Sequence, residues 1–249
     1  MQEVSIKEST ARDYTNIYYD FTYKAEDVYR NEECIKKAIA EPPLWWKNLT
    51  PFVRNCKNVE SFIEKHEDEY WARPNDGLLA TSKKCPAIIK HLSNSVIVKA
   101  PCDIRIRTSE DAFQWKVSNG NQIDIGCHDS DQVDGYPYHI LKFNFPIVIK
   151  ADQGVTASFV KPIFYDDFGF DVAPGIVDLT LLNQLNIISL FSKKQANYFI
   201  PYNSVIAILQ LSKRIKSITR TDLSKEKAKY AYDMARHLDS TTQSLRPLR

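Results

Sequence analysis

The amino-acid sequence predicts a mainly β protein, an antiparallel sandwich or barrel preceded by short helices and followed by a basic helix. Two observations carry that expectation. From about residue 95 the apolar residues stop recurring at helical spacing and begin to alternate, in short segments rich in β-branched and aromatic residues and separated by Pro, Gly, Asn and Asp. No helical pattern of ten or more residues interrupts 95–212, which argues against a parallel sheet with crossover helices. Of 249 residues, 43% are hydrophobic and 12% aromatic, which is enough apolar side chain to build a sizeable core.

Residues 1–30 are polar and tyrosine-rich, without a clear period. Asn31 then precedes Cys34, Ile35, Ala38 and Ile39, a spacing that predicts a short helix. Pro42 and Pro43 stop it, since proline continues no hydrogen-bond ladder and disfavours helical backbone in the residue before it. Asn58 ahead of Val59, Phe62, Ile63 and His66 predicts a second helix, with Glu60 favourable to its dipole. Pro86 in a first turn, followed by Ile88, Ile89 and Leu92, predicts a third. Residues 1–94 thus read as an N-terminal region packed on the core.

The β-domain, residues 95–212, is expected to hold strands at 95–100, 103–108, 112–117, 121–126, 139–145, 147–151, 155–160, 185–191 and 205–211. Beyond it the charge balance shifts. Residues 213–249 hold ten Lys and Arg against four Asp and Glu, a net +6, whereas residues 1–212 hold 23 against 27, a net −4. Ala228, Ala231, Tyr232, Ala235 and Leu238 share one helical face there, with Asp222 or Ser224 as cap, so 213–249 reads as a basic helix and tail.

Composition excludes several function classes. With 33 Lys+Arg against 31 Asp+Glu the net charge is +2, too small for a wholesale polyanion binder. The closest of the seven glycines are six residues apart (120/126 and 169/175), so neither standard phosphate-cradling loop can be written. Five cysteines, an odd number with no C-x-x-C, argue against a disulfide framework or zinc ribbon and for free buried thiols in a reducing cytoplasm. The sequence shows no secretory leader pattern and no 18-residue apolar run, so a cytoplasmic protein with no membrane partner is expected.

Four constellations could carry chemistry or contacts. Cys127, His128, Asp129, Asp131 and Asp134-Gly135, with His139 behind them, are dense in metal-ligating types, yet match no common zinc spacing and miss the calcium-loop register by one residue. An acidic turn with Cys127 buried accounts for them without a metal. Trp45-Trp46-Lys47, after the double proline, reads either as an interface anchor or as two indoles laid onto the β-domain. The five histidines have no nucleophile motif around them. The basic run Lys213, Arg214, Lys216 and Arg220 could meet a partner, but without interleaved aromatic residues it argues against nucleic acid.

Between Ile147 and Leu211 the order of motifs resembles the trimeric dUTPase and dCTP deaminase superfamily, whose fold is a β-clip barrel. Asp152-Gln153-Gly154 sits where that family has a turn carrying P-x-G, Ala173-Pro174-Gly175-Ile176-Val177-Asp178 where it has G-V-I-D, and Val205-Ile206-Ala207-Ile208 at its fourth motif. Upstream, Pro101-Cys102-Asp103-Ile104 is similar to the family's A-G-Y-D-L. The resemblance implies that Asp178 takes the place of the water-activating carboxylate and Asp103 that of the first-motif aspartate. The phosphate-binding P-R-S-S is replaced by Lys161-Pro162-Ile163-Phe164-Tyr165, the second aspartate and stacking tyrosine by Thr180 and Leu181, and G-D-R by Asn203-Ser204-Val205. The fold is therefore expected without the chemistry, because phosphate binding needs donors that are no longer present. Pro43-Leu44-Trp45-Trp46-Lys47, Lys84-Cys85-Pro86 and Ala100-Pro101-Cys102-Asp103 also look like proteins encoded by tailed phages. That match implies a viral setting, in host cytoplasm or virion.

The expected function is a non-catalytic structural or binding protein that assembles with protein partners or with itself, a trimer among the options, and needs no cofactor or metal. The contrasting expectation is a nucleotide-binding protein or enzyme with a pocket rebuilt around Asp103 and Asp178.

Overall fold

The computed structural model describes residues 14–21, 34–54, 78–110, 112–118, 123–127, 139–162 and 165–224. The elements run β1 (Tyr14–Phe21), β2 (Ile35–Lys37), α1 (Leu44–Asn48), β3 (Phe52–Arg54), β4 (Leu78–Ala80), α2 (Pro86–Ser93), β5 (Ser95–Lys99) and β6 (Ile104–Thr108). They continue through β7 (Phe113–Val117), β8 (Asp124–Cys127), β9 (His139–Ala151), β10 (Thr156–Val160), β11 (Phe170–Val172) and β12 (Gly175–Asp178). The last four are β13 (Asn183–Phe191), β14 (Ala196–Ile200), β15 (Val205–Leu211) and β16 (Arg214–Arg220).

The chain is mainly β, and its curled sheets form a half-barrel. One sheet has the order β11-β13-β9-β1-β16, with β8 beside the first half of β9. A second has the order β12-β10-β15-β5-β2, and a third is β14-β6-β7. A β3–β4 ladder stands apart. β5 is buried at all five positions, with the apolar Val96–Val98 at its centre, as a strand flanked by β15 and β2 should be. β6 alternates instead: Ile104, Ile106 and Thr108 face the core while Arg105 and Arg107 face water.

Two expected strands, 139–145 and 147–151, merge into the 13-residue β9. Pro146 has no N–H to donate, and the β9–β13 register slips opposite Gln184–Asn186 to accommodate it. The Gln184 side-chain amide donates to the Phe145 carbonyl there at 3.1 Å. β9 changes neighbour at this point, pairing Asn144 with Asp124 of β8 and Ile147 with Phe21 of β1. Its aromatic side chains join a chain of rings through the core: Phe143 to Phe170 at 6.0 Å, Phe170 to Phe191 at 5.2 Å and Phe191 to Tyr198 at 4.7 Å.

The helical expectations need correction. The helix at Pro86 forms, with proline in its first turn and Leu92 buried. The helix expected at Asn31–Ile39 is replaced by β2, because β5 offers an open edge: Ile35 pairs with Val98 and Lys37 with Val96. Residues 38–40 then turn, with Ala38 N–H donating to Ser95 O at 2.9 Å and Ile39 N–H to Leu92 O at 3.1 Å. The helix expected at Asn58–His66 lies outside the described residues.

The basic segment after Lys213 begins as a strand rather than a helix. β16 pairs in parallel with β1, and the register skips Lys216: Thr15 opposes Ile215 and Asn16 opposes Ser217. This one-residue bulge lets Ile215 and Ile218, three apart, both pack against the core. Asp222 Oδ1 accepts Ser224 N–H at 2.8 Å, closing an Asx turn after β16. The expected face Ala228–Leu238 lies outside the described residues. With β1, β2 and β16 in the main sheets, the β structure extends on both sides of 95–212.

Candidate functional site

The two aspartates singled out by the sequence occupy turns at opposite ends of the β15 sheet. Asp103 precedes β6, and its Oδ1 accepts Tyr202 N–H at 2.7 Å, beside the turn that leads into β15. Asp178 ends β12 and pairs with Thr156, whose neighbour Ala157 opposes Leu211 at the far end of β15. Seven extended residues separate those ends by roughly 20 Å. Within one chain the two carboxylates therefore share no pocket.

The structure does bring Asp178 to the turn at Asp152-Gln153-Gly154. Thr180 N–H donates to Asp178 Oδ1 at 2.8 Å, and Thr180 Oγ1 accepts Gly154 N–H at 3.0 Å. Hydrogen bonds from the Thr180 side chain, then from its backbone, hold the Asp178 carboxyl below the ordinary aspartate value. Gly154 has φ +71°, the left-handed region that a side chain would strain. Asp152 braces the other side of the turn: it accepts Asn16 N–H at 2.7 Å and the Asn16 side-chain amide at 3.1 Å. An open cleft of about 510 Å³ lies here, lined by Tyr18, Lys150, Asp152, Thr180 and Asp222 among others.

The carboxylates in and beside this cleft are tied to main-chain donors. Asp152, Asp178 and Asp222 each accept a main-chain N–H, as Asp103 does elsewhere. For Asp178 these bonds stabilise the charged carboxylate and weaken it as a base. Carboxylates in this role hold turns together.

A second polar centre is one that the sequence pattern does not show. Lys99 lies on the fully buried β5, and its ammonium pairs with the Glu41 carboxylate and reaches Asn203 Oδ1 at 3.1 Å. Asn203 itself has φ 67°, and its N–H donates to Ala100 O at 2.8 Å. Tyr165 Oη donates to the Glu41 carbonyl at 3.0 Å. Burial, and then the Glu41 charge, push the Tyr165 hydroxyl up to about 12. Lysine inside an apolar strand is the only sequence signal for this network, and its partners come from 58 and 104 residues away.

The tryptophans divide in role. Trp46 packs beside Ala38, Leu92 and Ile97 and donates its indole N–H to Ser82 O at 3.3 Å. Trp45 is 44% exposed, next to Leu44 at 71%. Of the basic run, Lys213 Nζ donates to Gln153 O at 3.3 Å, and Arg220 lies 4.7 Å over the Phe21 ring. Arg214 and Lys216 point to water from the edge of β16.

Cys127 is exposed at the end of β8, correcting the expectation that it is buried, whereas Cys34 and Cys102 are buried thiols. His139 is buried, with Nε2 2.9 Å from Ser109 O and 3.2 Å from Lys194 O. Two carbonyl acceptors require the proton to sit on Nε2. Residues 128–138 lie outside the described residues, and among the described residues no three ligating side chains cluster as a metal site would need. No helix among them is long and apolar enough to cross a membrane.

No family model matches the chain, and no curated protein matches it.

Proposed function

We propose that the chain is a non-catalytic binding or structural protein whose β scaffold assembles with itself or with a protein partner, in the viral setting that the tailed-phage resemblance suggests. The observation that supports this reading is the edge of the second sheet. Among the described residues β12 pairs on one side only, with β10, and carries Ile176 at 78% exposure, while Leu181 just beyond it is 66% exposed. An edge strand presents unpaired backbone donors and acceptors, and proteins usually blunt it with charge or cover it. Here a large aliphatic side chain stands on that edge, which favours strand addition or a hydrophobic contact with another chain. The commitment of Asp103, Asp152, Asp178 and Asp222 to main-chain donors favours a scaffold over an enzyme.

Sedimentation velocity over a concentration series tests this. The chain is expected to sediment as an oligomer or to co-sediment with a particle component, and Ile176→Lys with Leu181→Lys should release a folded monomer. Monomer at every concentration without a partner, or specific retention of a nucleotide on purification, would favour the contrasting pocket reading instead.

A further inference from the structure

Among the described residues, the outer face of the β14-β6-β7 sheet collects cations without any carboxylate. β6 contributes Arg105 and Arg107, β7 contributes Gln114 and Lys116, and β14 contributes Asn197 and Phe199; all six point to water. The register aligns them in two rows. Phe199, Arg105 and Lys116 stand opposite one another, and Asn197, Arg107 and Gln114 form the next row. Arg107 Nε donates to Asn197 Oδ1 at 3.0 Å, and the Arg105 guanidinium lies 4.9 Å over the Phe199 ring, which remains 46% exposed. The rows line an open trough of about 380 Å³.

The described carboxylates that flank β6 along the chain are engaged elsewhere. Asp103 accepts Tyr202 N–H before β6 begins, and Glu110 meets Lys194 at 3.5 Å beyond its end. Lys193, exposed at the turn into β14, adds charge at the Thr108 end. Arginines two apart on one strand project about 6.8 Å from each other, a spacing suited to successive phosphates of an extended strand. The ring offers a face on which a base can stack, as does the guanidinium plane.

We propose that this face binds single-stranded nucleic acid, with Arg105, Arg107 and Lys116 on phosphates and Phe199 under a base. A protein partner is the poorer fit, because a protein interface needs an apolar centre and this face has one ring. The weak case for nucleic acid at Lys213–Arg220 does not extend here, since the aromatic residue absent from that run is present on this sheet. The surface is separate from the β12 edge and independent of it.

The test is fluorescence anisotropy of the full chain with labelled oligothymidylate, with heparin as a polyanion lacking bases. Binding should weaken with salt at a log–log slope of about −2, as three phosphate contacts on a single strand imply. Arg105→Gln with Arg107→Gln should cost about tenfold or more in affinity. Phe199→Leu should weaken oligothymidylate about tenfold and leave heparin unchanged. All four side chains are exposed, and circular dichroism checks each fold; if the arginine pair fails to fold, Lys116→Gln supplies the charge arm. Absence of oligothymidylate binding, indifference to the charge variants, or equal loss of both ligands in Phe199→Leu would overturn the proposal.

Discussion

Lys99 and Glu41 form an ion pair with one end inside the protein and the other at its surface. The lysine side chain is 2% exposed and the glutamate side chain 42%. Removing the carboxylate would strand a buried ammonium, which is more costly than never having had the pair. Glu41→Gln is expected to lower stability by about 3 kcal/mol, the low end of the range for breaking a buried pair, because water already reaches the glutamate. Lys99→Met should cost much less. Burial raises the Glu41 carboxyl, but the hydrogen bond and charge of Lys99, with Lys36 at 3.4 Å, outweigh it and hold it below 4.5. Its contribution is thus present above that pH and fades as pH falls through the lowered value. Melting temperatures across the acid range, in wild type and Glu41→Gln, check the size and the sign.

Tyr165 sets the opposite limit. The unfolded chain releases a tyrosine proton near 10.0, whereas folded Tyr165 keeps it to about 12. Stability should therefore fall as pH rises through that window, since only the unfolded chain is free to ionise. Tyr165→Phe should flatten this alkaline decline while losing the hydrogen bond to the Glu41 carbonyl. Urea midpoints measured between neutral and strongly alkaline pH would show it, and an unchanged slope in the variant would refute it.

The bulge in β16 predicts sharply unequal effects for adjacent residues. Ile215 is buried, and Ile215→Ala should cost about 2–4 kcal/mol. Lys216 lies outside the pairing and faces water, and Lys216→Ala should stay within about 0.5 kcal/mol. Ending the chain after Ser212 should prevent folding, because it strips β1 of a neighbour. Denaturant titration of the two point variants and circular dichroism of the truncation check these outcomes.

Adjacent tryptophans should respond differently to solvent. Trp46 is packed and hydrogen bonded, so Trp46→Ala is expected to cost roughly 2 kcal/mol, less than a fully buried indole. Trp45→Phe should change stability little yet remove emission accessible to iodide. If quenching were unchanged in Trp45→Phe, its exposed indole would have to be covered by a partner or a second copy.

Several strands are legible because their patterning obeys one rule at a time. β6 and β10 alternate, and β5 and β15 carry apolar runs, Val96–Val98 and Val205–Leu209, near turn residues. β1 escapes because its inward positions include Thr15 and Tyr19, whose polar groups mask a period of two. In β16 a bulge converts strand spacing into the three-residue interval of a helix. β2 contains too few residues to declare a period, and only the open edge of β5 decides its state. The sites divide in the same way. Asp178-Leu179-Thr180 has the form of a turn closed by its own side chain, and the outward arginines follow from alternation. That Phe199 and Asn197 lie beside them depends on pairing across about ninety residues, which no local pattern encodes.

The parallel β1–β16 ladder also sets an order of events during synthesis. β1 can zip onto β9 once Ala151 has emerged, but its other edge must wait for Arg220. At ordinary elongation rates that wait lasts roughly 3–14 s. Throughout it the nascent sheet presents an open hydrogen-bonding edge beside Ile17, to which any neighbouring nascent chain could add a strand. Crowded polysomes should therefore lower the yield of native protein, and a slower codon supply before residue 214 should lower it further.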